Sequence, residues 1–103
     1  MDVKKLEKLL ASGHDSAMLR FGLGKAYFDA GDWQNAELHL AEAVQLQPDY
    51  SAAWQVLGQA LHAAGCFDKA LIAFDHGMEC AEKKGDQQAF KVMRVLRKRV
   101  RTD

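Results

Sequence analysis

Residues 17–50 and residues 51–84 show the same pattern of small and apolar side chains when one stretch is shifted along the other by 34 positions. The identical positions are all small or apolar: Leu23, Gly24, Ala26, Ala30, Gly31 and Ala36 fall on Leu57, Gly58, Ala60, Ala64, Gly65 and Ala70. Bulky apolar residues also replace one another, as Leu40 and Phe74 do. A fixed period of this length is typical of proteins that stack copies of one helical hairpin.

The repeated pattern resembles the tetratricopeptide repeat, a helix-turn-helix unit with the pattern W-x2-L-G-x2-Y followed by A, F, A and P. The resemblance covers residues 17–84 and departs from the pattern in three places. Arg20 stands where the pattern has its Trp, Glu82 stands where the first copy has Pro48, and Cys66 replaces the capping Asp32. The resemblance implies an all-α fold, a right-handed α-α superhelix, and a function in binding.

Helical spacing of apolar residues predicts six helices and no strand. One short helix follows Asp2, and the others are expected over residues 17–29, 33–46, 52–63, 67–81 and 87–101. We expect one domain: an N-terminal capping helix and loop over 1–16, repeats over 17–50 and 51–84, and a C-terminal capping helix over 85–103, because stacked repeats need capped ends. Within each repeat, Gly24 facing Ala36 and Gly58 facing Ala70 would let the two helices pack closely.

The 103 residues contain no apolar run of the roughly 18 residues that a membrane span needs, and the first residues lack the apolar stretch of a signal peptide. Cys66 and Cys80 are the only cysteines and have no C-x-x-C spacing, so we expect reduced thiols. These features predict a cytoplasmic protein that does not enter membranes.

Charge is unevenly distributed along the chain. Residues 1–82 carry six Lys and Arg against twelve Asp and Glu, whereas residues 83–103 carry eight against two. One set of these cations, the basic stripe, has spacings of three, four and three residues and consists of Lys91, Arg94, Lys98 and Arg101. The stripe is either a solvated capping face or a site for an anion, an acidic protein or nucleic acid; the net charge of zero and the acidic body disfavour nucleic acid.

The sequence contains two histidine–cysteine pairs but no recognisable catalytic constellation. His62 and Cys66, and likewise His76 and Cys80, have spacings that share a helix face. In a hairpin that turns near Gly65, His76 and Cys80 would lie more than ~13 Å from Cys66, whereas zinc ligands lie about 2.0 to 2.3 Å from the metal. No nucleophile has a base and an orienting carboxylate at a recognisable spacing. We therefore expect no metal, no cofactor and no catalysis.

The resemblance implies a concave surface lined by the first helix of each repeat. Carried over to this sequence, the main lining residues are Met18, Phe21, Lys25, Phe28, Asp29, Gln55, Gln59 and His62. Lys91 and Val95 are expected at the far edge. The leading hypothesis is a small adaptor that binds a peptide or helix of another protein in this groove. The alternatives are a binder of anions, acidic proteins or nucleic acid that works through the last helix, and self-association as a weak homodimer. Phe21 and Phe28 could instead pack against the first helix.

Overall fold

The computed structural model describes residues 2–100, which form six α-helices and no strand. The helices are α1 (Val3–Ala11), α2 (Ala17–Asp29), α3 (Trp33–Leu46), α4 (Ser51–Ala63), α5 (Phe67–Lys84) and α6 (Gln87–Lys98). Each helix packs on the next along the chain, and the most extensive contacts are within the hairpins α2–α3 and α4–α5. Helix α4 also contacts α2 and α6, so the first helices of the repeats and α6 lie side by side. The predicted all-α repeat fold is confirmed.

Three helix boundaries differ from the prediction. Helix α5 continues three residues further, to Lys84, because Glu82 stands where the first repeat has Pro48, which cannot continue a helix. It ends at Gly85, whose φ of 72° is the left-handed conformation that closes a helix. Helix α4 begins one residue earlier than predicted, at Ser51, and α6 ends at Lys98. Arg101, the last residue of the predicted basic stripe, lies outside the described residues.

The two hairpins are closed by the same contact, one repeat apart. A Cβ atom on Gly24 would lie 2.7 Å from Leu40 Cδ2, and a Cβ on Gly58 would lie 2.6 Å from Phe74 Cε1. Leu40 and Phe74 are both fully buried. The glycines are therefore needed, as expected, but the side chains that press on them are Leu40 and Phe74 rather than Ala36 and Ala70.

Helix α6 is docked by its apolar side. Met93 is fully buried against Gly77, where a Cβ would lie 3.3 Å from Met93 Cε and 2.9 Å from Trp54 Cβ. Beside it, Arg97 donates from Nε and Nη2 to the two carboxylate oxygens of Asp75 on α5, at 2.6 and 3.3 Å. The packing of Met93 and the bidentate Arg97–Asp75 ion pair thus fix which side of α6 faces α5 and which side borders α4.

Candidate binding groove

A depression of about 370 Å³ lies where α2, α4 and α6 meet. Its lining residues come from four helices and from the C-cap of α6: Phe28, Gln59, His62, Ala63, Phe74, Leu96 and Arg99. Phe74 is the buried side chain that presses on Gly58, so the close approach of α4 and α5 also forms part of this lining. Phe28 is half-buried and packs against Trp33, with ring centroids 5.5 Å apart.

The depression continues along α6. A second hollow, of about 360 Å³, shares Leu96 and Arg99 with the first and adds Lys91, Val92 and Val95. Val92 and Val95 are 39% and 46% exposed, although they are aliphatic. We call the two hollows together the concave groove. No carboxylate is among the residues that line it.

The predicted groove residues are divided by the structure. Phe28, Gln59, His62 and Lys91 line the concave groove, together with Val92, Leu96 and Arg99, which the sequence analysis did not assign to it. Gln55 is half-buried on α4, one turn before Gln59. A signal for the missed residues was present: Val92 and Leu96 are four residues apart, the spacing of one helix face, and Arg99 follows at a spacing of three.

The other predicted residues line a separate depression of about 560 Å³ at the N-terminal end, beside Val3 of α1. They are Met18, Phe21, Lys25 and Asp29. Lys25 Nζ donates to Asp29 Oδ1 at 2.7 Å, so these charges neutralise each other, and Phe21 tilts against Tyr50 with ring centroids 5.1 Å apart. Phe21 therefore lies at the end of the array, near α1, whereas Phe28 lies in the concave groove.

The cations of the C-terminal region do not form one free patch. Lys91, Arg94 and Lys98 are exposed on α6, but Arg97 is bound to Asp75. Lys84 Nζ lies 3.5 Å from Asp49 Oδ2, and Lys83 Nζ lies 3.1 Å from Glu79 Oε1. These pairs leave a narrower cationic surface than the sequence count indicates.

The histidine and cysteine pairs have other contacts. His76 stacks on Trp54 with ring centroids 4.6 Å apart, and the Cys80 thiol donates to the carbonyl oxygen of Pro48 at 3.3 Å. Burial raises the pKa of the Cys80 thiol. The His62 ring packs edge-on against the Phe67 ring, with ring centroids 5.8 Å apart. Within residues 2–100, no three His, Cys, Asp or Glu side chains are grouped so that they could hold a metal ion.

A polar cluster that the sequence analysis missed joins α1 to the first repeat. His39 is only 5% exposed; its Nδ1 accepts a hydrogen bond from Arg20 Nη1 at 3.1 Å, and its Nε2 lies 3.5 Å from Glu7 Oε1. Tyr27 stacks on the His39 ring and donates its hydroxyl to Glu7 Oε1 at 2.9 Å. Arg20 also binds both carboxylate oxygens of Asp15, at 2.9 and 3.2 Å. Arg20, at the position of the repeat's Trp, is thus the centre of this cluster.

Comparison with known proteins agrees with this architecture. The sequence model of the tetratricopeptide repeat matches residues 3–51 and 21–76. The chain belongs to the tetratricopeptide repeat family. It is similar to the TPR repeat-containing protein PA0015 of Pseudomonas aeruginosa, with 50% identity over 96 residues that cover 93% of this chain and 91% of that protein. It is also similar to the solution structure of protein BPP2914 from Bordetella parapertussis, with 37% identity and a TM-score of 0.83, covering 97% of this chain and 87% of that one.

Membership of this family has a general functional meaning, because tetratricopeptide repeats generally mediate protein–protein interactions and are generally non-catalytic. Among the helices of residues 2–100, none has both the length and the apolar character required to span a membrane.

Proposed function

We propose that this chain is a non-catalytic adaptor that binds a peptide or helix of another protein in the concave groove. The observation that carries the proposal is the continuity of two hollows through Leu96 and Arg99, with Val92 and Val95 exposed along them. Fully burying an aliphatic or aromatic side chain contributes roughly 1.5 to 3 kcal/mol. A few such anchors supply most of the affinity of an interface.

Polar groups of the groove would fix the register of the bound segment. Gln59 and His62 lie on α4, line the groove together with Phe28 and are half-buried. A hydrogen bond left unmade at such a site costs about 1 to 3 kcal/mol, which disfavours segments in the wrong register. The setting that we propose is the cytoplasm, since Cys66 and Cys80 are both free thiols.

The test is a pair of photo-crosslinking variants in the native host. A photoreactive amino acid at Val95, in the groove, is expected to capture a partner protein, whereas the same amino acid at Ile72, which is 56% exposed on α5 and not among the groove residues, is expected not to capture it. The partner is then purified, and its affinity is measured for Val95→Asp and for Ile72→Asp. The proposal requires that Val95→Asp weakens binding at least tenfold and that Ile72→Asp does not.

Equal effects of the two variants would contradict a groove-specific function. Light scattering on the same preparations reports the oligomeric state, for which we propose a monomer or a weak homodimer. If the captured partner is a second copy of this chain, the groove serves self-association instead of an adaptor function.

A further inference from the structure

The charges that border the concave groove all have one sign. Lys91 and Arg99 are exposed at the groove, and no Asp or Glu is among the lining residues. The body of the chain has the opposite character, because residues 30–82 contain one Lys against eight Asp and Glu. The groove is therefore a cationic strip beside an acidic body, in a chain whose formal net charge is zero.

The two cations lie at opposite ends of an apolar segment. Arg99, the C-cap of α6, follows Lys91 by eight positions, which corresponds to about 12 Å along the helix axis. The side chains of Val92, Val95 and Leu96 lie between them in the same hollow. A ligand that covers these apolar side chains would bring its own flanking groups to the two positive charges.

These two charges are available to a ligand. Within residues 2–100, neither Lys91 nor Arg99 has an ion-pair partner, whereas Lys25 and Arg97 have one. An exposed ion pair contributes little to folding, so leaving two cations unpaired costs the fold little. Across an interface, opposite charges accelerate association and exclude wrong partners.

We infer that the groove binds an acidic amphipathic segment in which two carboxylates flank apolar side chains. The inference rests on the proposed function and names the partner's chemistry. On a partner helix that lies along α6, carboxylates at i and i+7 are about 10.5 Å apart, with apolar side chains at i+3 and i+4 on the same face. The apolar pair covers Val92, Val95 and Leu96, and the carboxylates meet Lys91 and Arg99.

An RNA strand fits the same groove less well. Single-stranded nucleic acids are held by a cationic track together with aromatic rings on which bases stack. Phe28 and Phe74 line the groove, but Phe28 is half-buried against Trp33 and Phe74 is fully buried. The acidic body would also repel phosphates.

The experiment is a selection from a displayed library of random peptides. The native protein is compared with the charge reversals Lys91→Glu and Arg99→Glu made together. The matched control reverses Arg94 and Lys98, which are exposed on α6 and line neither hollow of the groove. Peptides selected on the native protein are expected to carry Asp or Glu on both sides of an apolar pair. The Lys91→Glu and Arg99→Glu variant is expected to bind these peptides at least tenfold more weakly and to select peptides with Lys or Arg in place of Asp or Glu. The control variant is expected to bind the original peptides with native affinity. Affinity of the selected peptides is expected to fall several-fold between about 50 and 200 mM salt.

Three other results of this experiment would contradict the inference. Some selected peptides could bind Ile72→Asp but not Val95→Asp and so depend on the groove. If such peptides were not enriched in Asp or Glu, this inference would be overturned and the proposed function would stand. Failure to find any peptide that depends on Val95 would overturn both. An RNA oligonucleotide that binds through Lys91 and Arg99 more tightly than every selected peptide would also overturn the inference. Circular dichroism on each variant separates loss of binding from loss of folding.

Discussion

His39 Nδ1 accepts a hydrogen bond from Arg20 Nη1 at 3.1 Å, and because a guanidinium can only donate, the ring must carry its proton on Nε2. That nitrogen lies 3.5 Å from Glu7 Oε1 of α1. The ring is therefore neutral in the folded protein, and a second proton on Nδ1 would face the Arg20 charge. Protonation of His39 therefore opposes its hydrogen bond with Arg20, which joins α2 to α3.

The first prediction concerns stability in mild acid. Burial lowers the pKa of His39 below its ordinary value of about 6.5, and Arg20 adds to this lowering, whereas the carboxylates of Glu7, Asp15 and Glu42 oppose it. Between the lowered pKa and about 6.5, the unfolded chain binds a proton that the folded chain does not. The free energy of unfolding is therefore expected to fall as the pH drops through this window, by at most about 1.4 kcal/mol per pH unit.

Urea unfolding of the native protein and of His39→Gln, measured from pH 7 to pH 5, tests this. The variant cannot titrate at this position, so its stability is expected to change less over the same range. His14→Gln is the matched control, because His14 is exposed and, within residues 2–100, its ring is hydrogen-bonded only to nearby Ser12. If the free energy of unfolding changed with pH in the same way for the native protein and for His39→Gln, His39 would not be the source of the pH dependence. Loss of the Asp15 contact is separate, since Arg20 lowers the pKa of that carboxyl and its contribution disappears only at still lower pH.

The second prediction concerns the start of α5. Cys66 is the N-cap of this helix and makes no side-chain cap bond, whereas Asp32 caps α3 with nearly the same backbone angles and accepts from Asn35 N at 3.2 Å. A thiol accepts hydrogen bonds poorly. Cys66→Asp is therefore expected to raise the free energy of unfolding by about 0.5 to 2 kcal/mol, measured in urea. Cys66→Ala, which also removes the thiol but cannot cap, serves as control, and a gain shared by both variants would refute the capping explanation.

The third prediction concerns what holds α6 in place. Met93 is fully buried, so Met93→Asp forces a charge into the core and is expected to abolish the folded state. Arg97→Gln removes an ion pair whose side chains are 41% and 55% exposed, and is expected to cost less than about 1 kcal/mol. Circular dichroism and thermal melting check both. A folded, fully helical Met93→Asp variant would mean that α6 is not docked through Met93.

The repeat period was enough to predict the helices, but not which side chains meet between them. The pattern placed Gly24 and Gly58 at helix crossings correctly, because a missing side chain at a fixed spacing is visible in sequence. It assigned the wrong partners, since Leu40 lies one turn beyond Ala36 on the same face of α3. The choice between two residues of one face depends on the crossing geometry, which a periodicity does not contain.

The candidate site shows the same limit. The repeat motif placed Phe28, Gln59 and His62 on the surface where the hollow lies, but the same reasoning placed Phe21 and Lys25 there, and these line the separate depression. Helix α6 lies after the repeats, so its rotation is set by Met93 and by the Arg97–Asp75 pair instead of by the motif. The cluster around His39 could not be predicted for another reason. Its members are spread along the sequence from Glu7 to His39 and do not recur at the spacing of a helix face or of the repeat.

The last prediction separates the two phenylalanines that the repeat pattern placed together. Phe28 lines the concave groove, whereas Phe21 lines the depression beside Val3 and packs on Tyr50. With the partner captured through Val95, Phe28→Ala is expected to weaken binding about tenfold or more, a loss of at least about 1.4 kcal/mol with little dependence on salt, because the lost contact is apolar. Phe21→Ala is expected to leave the affinity within about twofold, although it removes packing against Tyr50. Isothermal titration calorimetry on variants shown to be folded makes the comparison, and a folded Phe28→Ala variant with native affinity would remove Phe28 from the binding site.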